Sequence, residues 1–258
     1  MRRWAKSFVH NNIIITPVYD RSFTALQSKT AQLIGDLPFM YTSENIRLKM
    51  FRKSRMILTF SDYERVQILK NFNIGHNKVR VLGADYQPHE VSKKIRKNFL
   101  FVGDISNPRK NLLRICKIFS TINANLTIIG KCHQSVYTNR LLKIINKTRN
   151  IEYKGIVSNQ QLTEAYHACD ALILVSQFEG FGYAAIEANQ NNLPVLATVI
   201  GGTRELLGSN GIYVNPFSNK SIKVGIRRVM NGELDDVHHS LPLGTEFEDI
   251  MERSYHGE

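Results

Sequence analysis

The sequence predicts an α/β protein built on parallel sheets. Three observations carry that expectation. Short apolar runs alternate with longer amphipathic stretches from Asn12 to Met230, the β-α-β-α order that parallel sheets require. Serines stand just before several amphipathic stretches, where a helix needs an acceptor for its first N–H groups. The run from Ala171 to Val175 (A-L-I-L-V) is too short for a helix, and a glycine-bearing turn leads from it into good helix formers from Tyr183 onward.

In chain order, Asn12 to Val18 reads as a strand ended by Pro17. Ser22 caps a predicted helix through about Leu33, closed by Gly35-Asp36. Pro38 to Thr42 is a short strand, Ser43 opens a short basic helix, and Arg55 to Phe60 is a buried strand. Ser61 and Glu64 form a capping box for a helix to about Phe72, and Lys78 to Leu82 is a further strand. Gln87 to Lys97 is polar and charged, contains Pro88, and reads as a linker. The periodicity then restarts. Strands are expected at Asn98 to Val102, Asn125 to Gly130, Ile151 to Gly155, Ala171 to Val175, Pro194 to Thr198 and Gly211 to Pro216, with helices between them and from Asn219 to Met230. Glu246 to Tyr255 reads as a short terminal helix. The expected organisation is a partial first domain over 1–86, a linker over 87–97, a second domain over 98–235, and a loop with a crossover helix over 236–258.

The 258 residues, 43% hydrophobic, suffice for a sizeable core, and no apolar run has the length of a membrane-spanning helix. Cys116, Cys132 and Cys169 have neither metal nor disulfide spacing, which points to a reduced, cytoplasmic setting. Residues 1–100 carry 18 Lys and Arg against 7 Asp and Glu, whereas the other 158 carry 16 against 15. The basic surplus is therefore expected in the first 100 residues, where it either attracts an anionic membrane or polyanion or is a solvated lysine-rich surface. No nucleic-acid motif accompanies it, so no nucleic-acid partner is expected.

The turn from Ser176 to Gly182 is the candidate ligand site. The first N–H groups of a helix lack intrahelical acceptors and favour an anion, and Gly180 and Gly182 let the backbone approach it. Glu179 and Glu187 stand eight residues apart, roughly 12 Å if the segment is mostly helical. Carboxylates so spaced can grip hydroxyls near the two ends of an extended sugar nucleotide. Upstream, Pro108 suits a first helical turn, which puts Arg109 and Lys110 at a strand's carboxyl end, where α/β proteins bind ligands.

The segment E-G-F-G-x-x-x-x-E, after a strand ending S-x-x-E, resembles the signature of retaining glycosyltransferases of family 4. The segments G-D-I-S-N-P-R-K-N and V-S-N-Q-Q-L-T-E-A-Y also resemble that family, in matching order and spacing from Lys49 to Met230. The resemblance implies a GT-B-like fold of two Rossmann-like parallel-sheet domains. It also implies transfer of a hexose, with retention, from a UDP- or GDP-sugar to a glycan or lipid-linked acceptor. Lys110 matches the lysine that holds the donor diphosphate. Arg109 either joins it or is a solvated side chain. Asp104 stands where many members have an arginine. By the same resemblance Val157 lies in the turn that meets the nucleobase. Glu187 takes the ribose, and Glu179 with Gly180, Phe181 and Gly182 takes the sugar and phosphates. Glu179 and Lys110 are the implied catalytic residues, with no metal and no cofactor besides the donor. Gly201-Gly202 is a second turn beside the donor or simply a tight connection.

Only about 48 residues precede Lys49, without the family's glycine-rich loop, and F-M-Y-T-S-E-N occupies the place of its T-x-H-D segment. The resemblance thus implies a truncated N-terminal domain whose catalytic group is unassigned. The alternative is a non-catalytic nucleotide-sugar-binding relic or subunit that needs a partner chain. The expected location is cytoplasmic, peripheral at the inner membrane face through the basic N-terminal part.

Overall fold

The computed structural model describes residues 8–10, 13–17, 30–34, 51–52, 56–59, 61–81, 97–179, 182–208 and 211–233. The chain divides into two compact units, one of residues 1–86 with 179–181 and the other of 87–178 with 182–258.

The first unit has a five-stranded sheet in the order β1-β2-β3-β4-β5. Its strands are β1 (Phe8–His10), β2 (Ile13–Pro17), β3 (Thr30–Ile34), β4 (Met56–Thr59) and β5 (Val79–Val81). β1 pairs antiparallel with β2, and all later pairs are parallel. β3 corrects the expected helix from Ser22 to Leu33. Its backbone pairs with β2 on one side and β4 on the other, and pairing on two sides outweighs the helix propensity of Ala31, Gln32 and Leu33. The strand expected at Pro38 to Thr42 lies outside the described residues, as does most of the helix expected after Ser43. Helix α1 (Asp62–Phe72) begins where the capping signal puts it, with Ser61 Oγ accepting from the Glu64 N–H at 3.2 Å. It lays Ile68 and Phe72 on Phe51, Ile57, Ile74 and Val79, and the Phe51 and Phe72 rings meet edge to face at 5.1 Å.

The second unit holds a six-stranded, all-parallel sheet. Its strands and helices alternate as β6 (Asn98–Val102), α2 (Leu112–Phe119), β7 (Asn125–Ile129), α3 (Val136–Lys147), β8 (Ile151–Tyr153), α4 (Asn159–Ala168), β9 (Ala171–Leu174), α5 (Tyr183–Gln190), β10 (Val195–Thr198), α6 (Thr203–Leu207), β11 (Gly211–Val214) and α7 (Asn219–Asn231). The spatial order is β11-β10-β9-β6-β7-β8. Strands buried on both faces need continuous apolar runs, and β9 and β10 are buried at every residue. One face of the sheet presents Phe99, Phe101, Leu126, Ile128, Ile173, Leu196 and Val214 to α2, α3 and α7 in a single core cluster. Leu100, Leu172, Leu174 and the buried residues of α4, α5 and α6 lie outside that cluster, on the opposite face.

At the amino ends of the strands, Asp170 Oδ2 accepts from the N–H of Asn98 at 3.1 Å, Asn98 Nδ2 at 3.0 Å and the N–H of Lys97 at 3.3 Å. Asn98 Oδ1 in turn accepts from Asn125 Nδ2 at 2.8 Å. Serine caps open α3, α4 and α7, and those of α3 and α4 are reciprocal capping boxes. Among the described residues no helix is long and apolar enough to cross a membrane.

Cys116 is fully buried in the core cluster, and burial pushes its thiol up to about 12, whereas Cys132 and Cys169 are partly exposed. A thiol reagent at pH 8 is expected to label Cys132 and Cys169 in the native protein, and Cys116 only after denaturant is added. Peptide mapping before and after unfolding checks this.

Candidate functional site

β6 lies between β7 and β9, so the chain builds the sheet outward from β6 in one direction and then in the other. At such a switch point the loops leave opposite faces and a crevice opens beyond the carboxyl ends of the strands. Two loops flank it here: residues 103–111 after β6 and 175–178 after β9.

Arg109 ties these loops together. It sits in a 3-10 turn, Pro108–Lys110, rather than in the first turn of α2, because Asn107 caps the turn and Asn111 takes a left-handed conformation (φ 59°) before α2 begins. The Arg109 carbonyl accepts from the Gln177 N–H at 2.8 Å. Its Nη1 donates to the Phe178 carbonyl at 2.6 Å, and its guanidinium lies over the Phe178 ring, 5.7 Å from the centroid. Arg109 is only 6% exposed, so it is not the solvated side chain that the sequence leaves open. Asn111 adds a third loop, donating through Nδ2 to the Pro216 carbonyl after β11 at 2.8 Å.

Lys110 points differently. It is partly buried, and its Cε lies 3.9 Å from where a Cβ on Gly103 would stand, so the chain folds back over the carboxyl end of β6. Beside it the ladder runs on past the strands, from the Gly103 N–H to the Ile129 carbonyl and from the Ile105 N–H to the Lys131 carbonyl, each at 3.0 Å. Asp104, in place of the arginine of many members, pairs with Lys131 at 3.3 Å and accepts from the Ser106 N–H. The approach depends on Gly130. Its φ is +151°, and a Cβ there would come within 1.7 Å of the Gly103 carbonyl oxygen. The Gly130 N–H donates to the Gly155 carbonyl at 2.9 Å, which draws in the loop that holds Val157. Val157 is partly buried there, beside Ile156, which is 80% exposed.

On the other side, Gly182 (φ +83°) opens α5, and its carbonyl accepts from the Ala185 N–H at 2.8 Å. Only Tyr183–Gln190 is helical, so the helical spacing assumed between the two glutamates covers the second half of that segment alone. Glu179 is buried at 6% exposure, directly after Phe178. Gly180 and Phe181 lie outside the described residues. Glu187 is exposed on α5, and its Oε2 accepts from the Tyr166 hydroxyl at 2.8 Å. Burial, with the Glu187 carboxylate beside it, holds the Tyr166 phenol protonated well above the ordinary tyrosine range. Glu187 Oε1 meets no donor among the described residues. The sequence reading misses Tyr166. Its only signal is an aromatic residue on a polar helix, where it is the one buried residue. Gly201 and Gly202 precede α6, where Thr203 Oγ1 donates to the Thr198 carbonyl at 3.0 Å, a short tied connection.

A crevice with a partly buried lysine, a helix opening on a left-handed glycine, and a carboxylate held by a buried phenol suits an anionic ligand with a hydroxylated end. Comparison with known proteins gives a family and a fold. The family described as glycosyl transferases group 1 matches residues 75–241. The O-antigen chain mannosyltransferase RfbU of Salmonella typhimurium is 24% identical over 216 residues, 79% of this chain and 61% of the relative. The O-antigen biosynthesis glycosyltransferase WbnH of Escherichia coli is 26% identical over 227 residues, 81% of this chain and 65% of the relative. The chain thus spans less than two thirds of the length of these relatives. Among solved structures, sucrose-phosphate synthase from Thermosynechococcus elongatus superposes with a TM-score of 0.67 at 16% identity, covering 87% of this chain and 66% of that one. Anabaena HepE, solved with UDP and glucose, gives 0.64 at 16% identity, covering 80% of this chain and 63% of that one. The fold is the α/β, GT-B one.

Two substitutions test the loop architecture. Gly130→Ala is expected to lower stability by about 3 kcal/mol, because backbone rather than a side chain must move. Arg109→Lys, which keeps the charge but loses the planar fork, is expected to cost about 2 kcal/mol and to speed amide exchange in residues 175–179. Urea unfolding and hydrogen exchange measure both.

Proposed function

The chain belongs to glycosyl transferases group 1, and we propose that it moves a hexose from a UDP- or GDP-sugar to a glycan or lipid-linked acceptor, retaining the anomeric configuration and using no metal. The observation that carries this reading is the grouping of Lys110, the opening of α5 at Gly182, and the Tyr166-anchored Glu187 around the β6–β9 switch point. In the reaction the bond from the anomeric carbon to the diphosphate breaks, and negative charge grows on the leaving phosphate. Lys110 and the first N–H groups of α5 are the cation and dipoles that meet that charge, which relieves the need for a divalent ion. Glu187 accepts from the ribose hydroxyls while Tyr166 fixes its other oxygen. Glu179 accepts from the hydroxyls of the transferred sugar, and Gly180 and Phe181, next in sequence, belong to the same donor-binding segment. The backbone at Val157 meets the base. Arg109 acts through Phe178, holding the turn in place.

The relatives' names, which speak of O-antigen, support a role in polysaccharide assembly. The reading places that role on the cytoplasmic side of a membrane that carries the acceptor. In this reading the cationic first 100 residues favour contact with that membrane.

Calorimetry and turnover with a panel of UDP- and GDP-sugars test the proposal. Glu187→Ala is expected to weaken donor binding by about 10- to 100-fold through loss of a charged hydrogen bond. Lys110→Met is expected to lower kcat by about 10²- to 10³-fold with a smaller effect on binding. Failure of the folded protein to bind any donor would sink the reading. Binding without turnover on any acceptor would reduce it to a donor-binding protein.

A further inference from the structure

The helices on the two faces of the second sheet differ sharply in charge. α2, α3 and α7 share one face and carry nine Lys and Arg with no Asp or Glu. On the other face α4, α5 and α6 carry Glu164, Glu187 and Glu205 against Arg204 alone. The last 158 residues total near neutrality largely because residues 233–258 hold eight carboxylates against one arginine. The sequence count therefore conceals a second basic surface beyond the first 100 residues.

That surface is exposed and mixed with apolar groups. Arg140, Lys143 and Lys147 run along the exposed side of α3 behind Val136, which is 72% exposed. Lys220 and Arg227 flank Val224, 46% exposed, on α7, and Lys117 points outward from α2. Like charges at three- and four-residue spacing repel one another along a helix, and no carboxylate on these helices offsets them. Between α2 and α7 lies a groove of about 440 Å³. Arg114, Lys117 and Lys223 line it with Tyr137 and Asn219, and no carboxylate does. Arg114 is fixed at its edge by bonds from Nη1 to the Phe217 carbonyl (2.9 Å) and Asn219 Oδ1 (2.7 Å).

We propose that this face rests on an anionic lipid surface, with the groove receiving a phosphate-bearing headgroup. Cations interspersed with exposed valines suit the headgroup–acyl boundary, where both are accommodated. A single-stranded nucleic acid would instead call for aromatic rings offered for stacking, and Tyr137 is half-buried with its hydroxyl accepting from the Leu113 N–H. The groove also borders Pro108, Asn111 and Gln177 in the loops of the candidate donor site, but the cations that meet the lipid, Arg114, Lys117 and Lys223, are not donor residues, so the proposal does not depend on sugar transfer.

The test is co-sedimentation of the full chain with vesicles of phosphatidylcholine alone and of equal parts phosphatidylcholine and phosphatidylglycerol. Binding only to the anionic vesicles, weakened by salt, is expected. Each cation at such a surface contributes roughly fivefold in partitioning, so the triple variant Lys117→Glu, Lys143→Glu, Lys220→Glu should bind at least about a hundredfold more weakly. Circular dichroism confirms its fold, and retained donor binding separates this outcome from failure of the sugar-nucleotide reading. A matched control, Arg52→Glu, Lys70→Glu, Arg80→Glu, reverses the same number of charges among the first 100 residues, whose surplus adds to the attraction, and should lose far less because the α2–α3–α7 face makes the main contact. Equal binding to neutral vesicles, or equal losses in triple variant and control, overturns the proposal. So does RNA that binds as tightly as the anionic vesicles and displaces them.

Discussion

A buried guanidinium must find acceptors where it lies, because its charge cannot be given up. Arg109 finds one in the Phe178 carbonyl, and in doing so it converts two separate loops into one piece. The geometry of the crevice follows from that bond. The turn after β9 cannot swing away from the turn after β6 without stranding the charge. Lys110, the next residue, is thereby fixed over the end of β6, and α5 begins where the pinned turn leaves it. Asn111 extends the same piece to the loop after β11. A site for a flexible ligand gains from this, since loops already ordered lose little entropy when the ligand arrives.

Charge is sorted on this unit as well as ordered. The site gathers isolated charges, each with a neighbour that fixes its position. The helices of one sheet face instead carry nine cations and no carboxylate. Fixed single charges suit recognition of a defined small molecule. An excess of one sign spread over a face suits a broad surface, where exact partner positions do not matter.

The second unit was legible in the sequence almost strand for strand. Fully buried parallel strands leave uninterrupted apolar runs, and the serine caps at Ser135, Ser158 and Ser218 are local signals read within four residues. The first unit was less so. Thr30–Ile34 has residues that suit a helix, and only pairing with strands on both sides makes it extended. The site divides in the same way. Glu187, Lys110 and the glycine turn can be named as candidates from type and spacing alone. The positions of Arg109 and Tyr166 cannot, because their partners, Phe178 and Glu187, are 69 and 21 residues away. Summed charge misled for a related reason: it averages over faces that only the fold separates.

The clasp of Asp170 on Asn98 and Lys97 lies at the end of the sheet away from the crevice. Sliding β6 against β9 by one residue would break three hydrogen bonds to one carboxylate oxygen, so the relative register of the strands is locked at their roots. Whatever happens at the mouth is then mechanically insulated from the frame. Loops there are cantilevers on a fixed base, and substitutions or insertions in them re-aim side chains without re-threading the sheet. Such a frame lets a lineage exchange one ligand for another by editing loop tips alone, while the scaffold that makes the crevice stays the same.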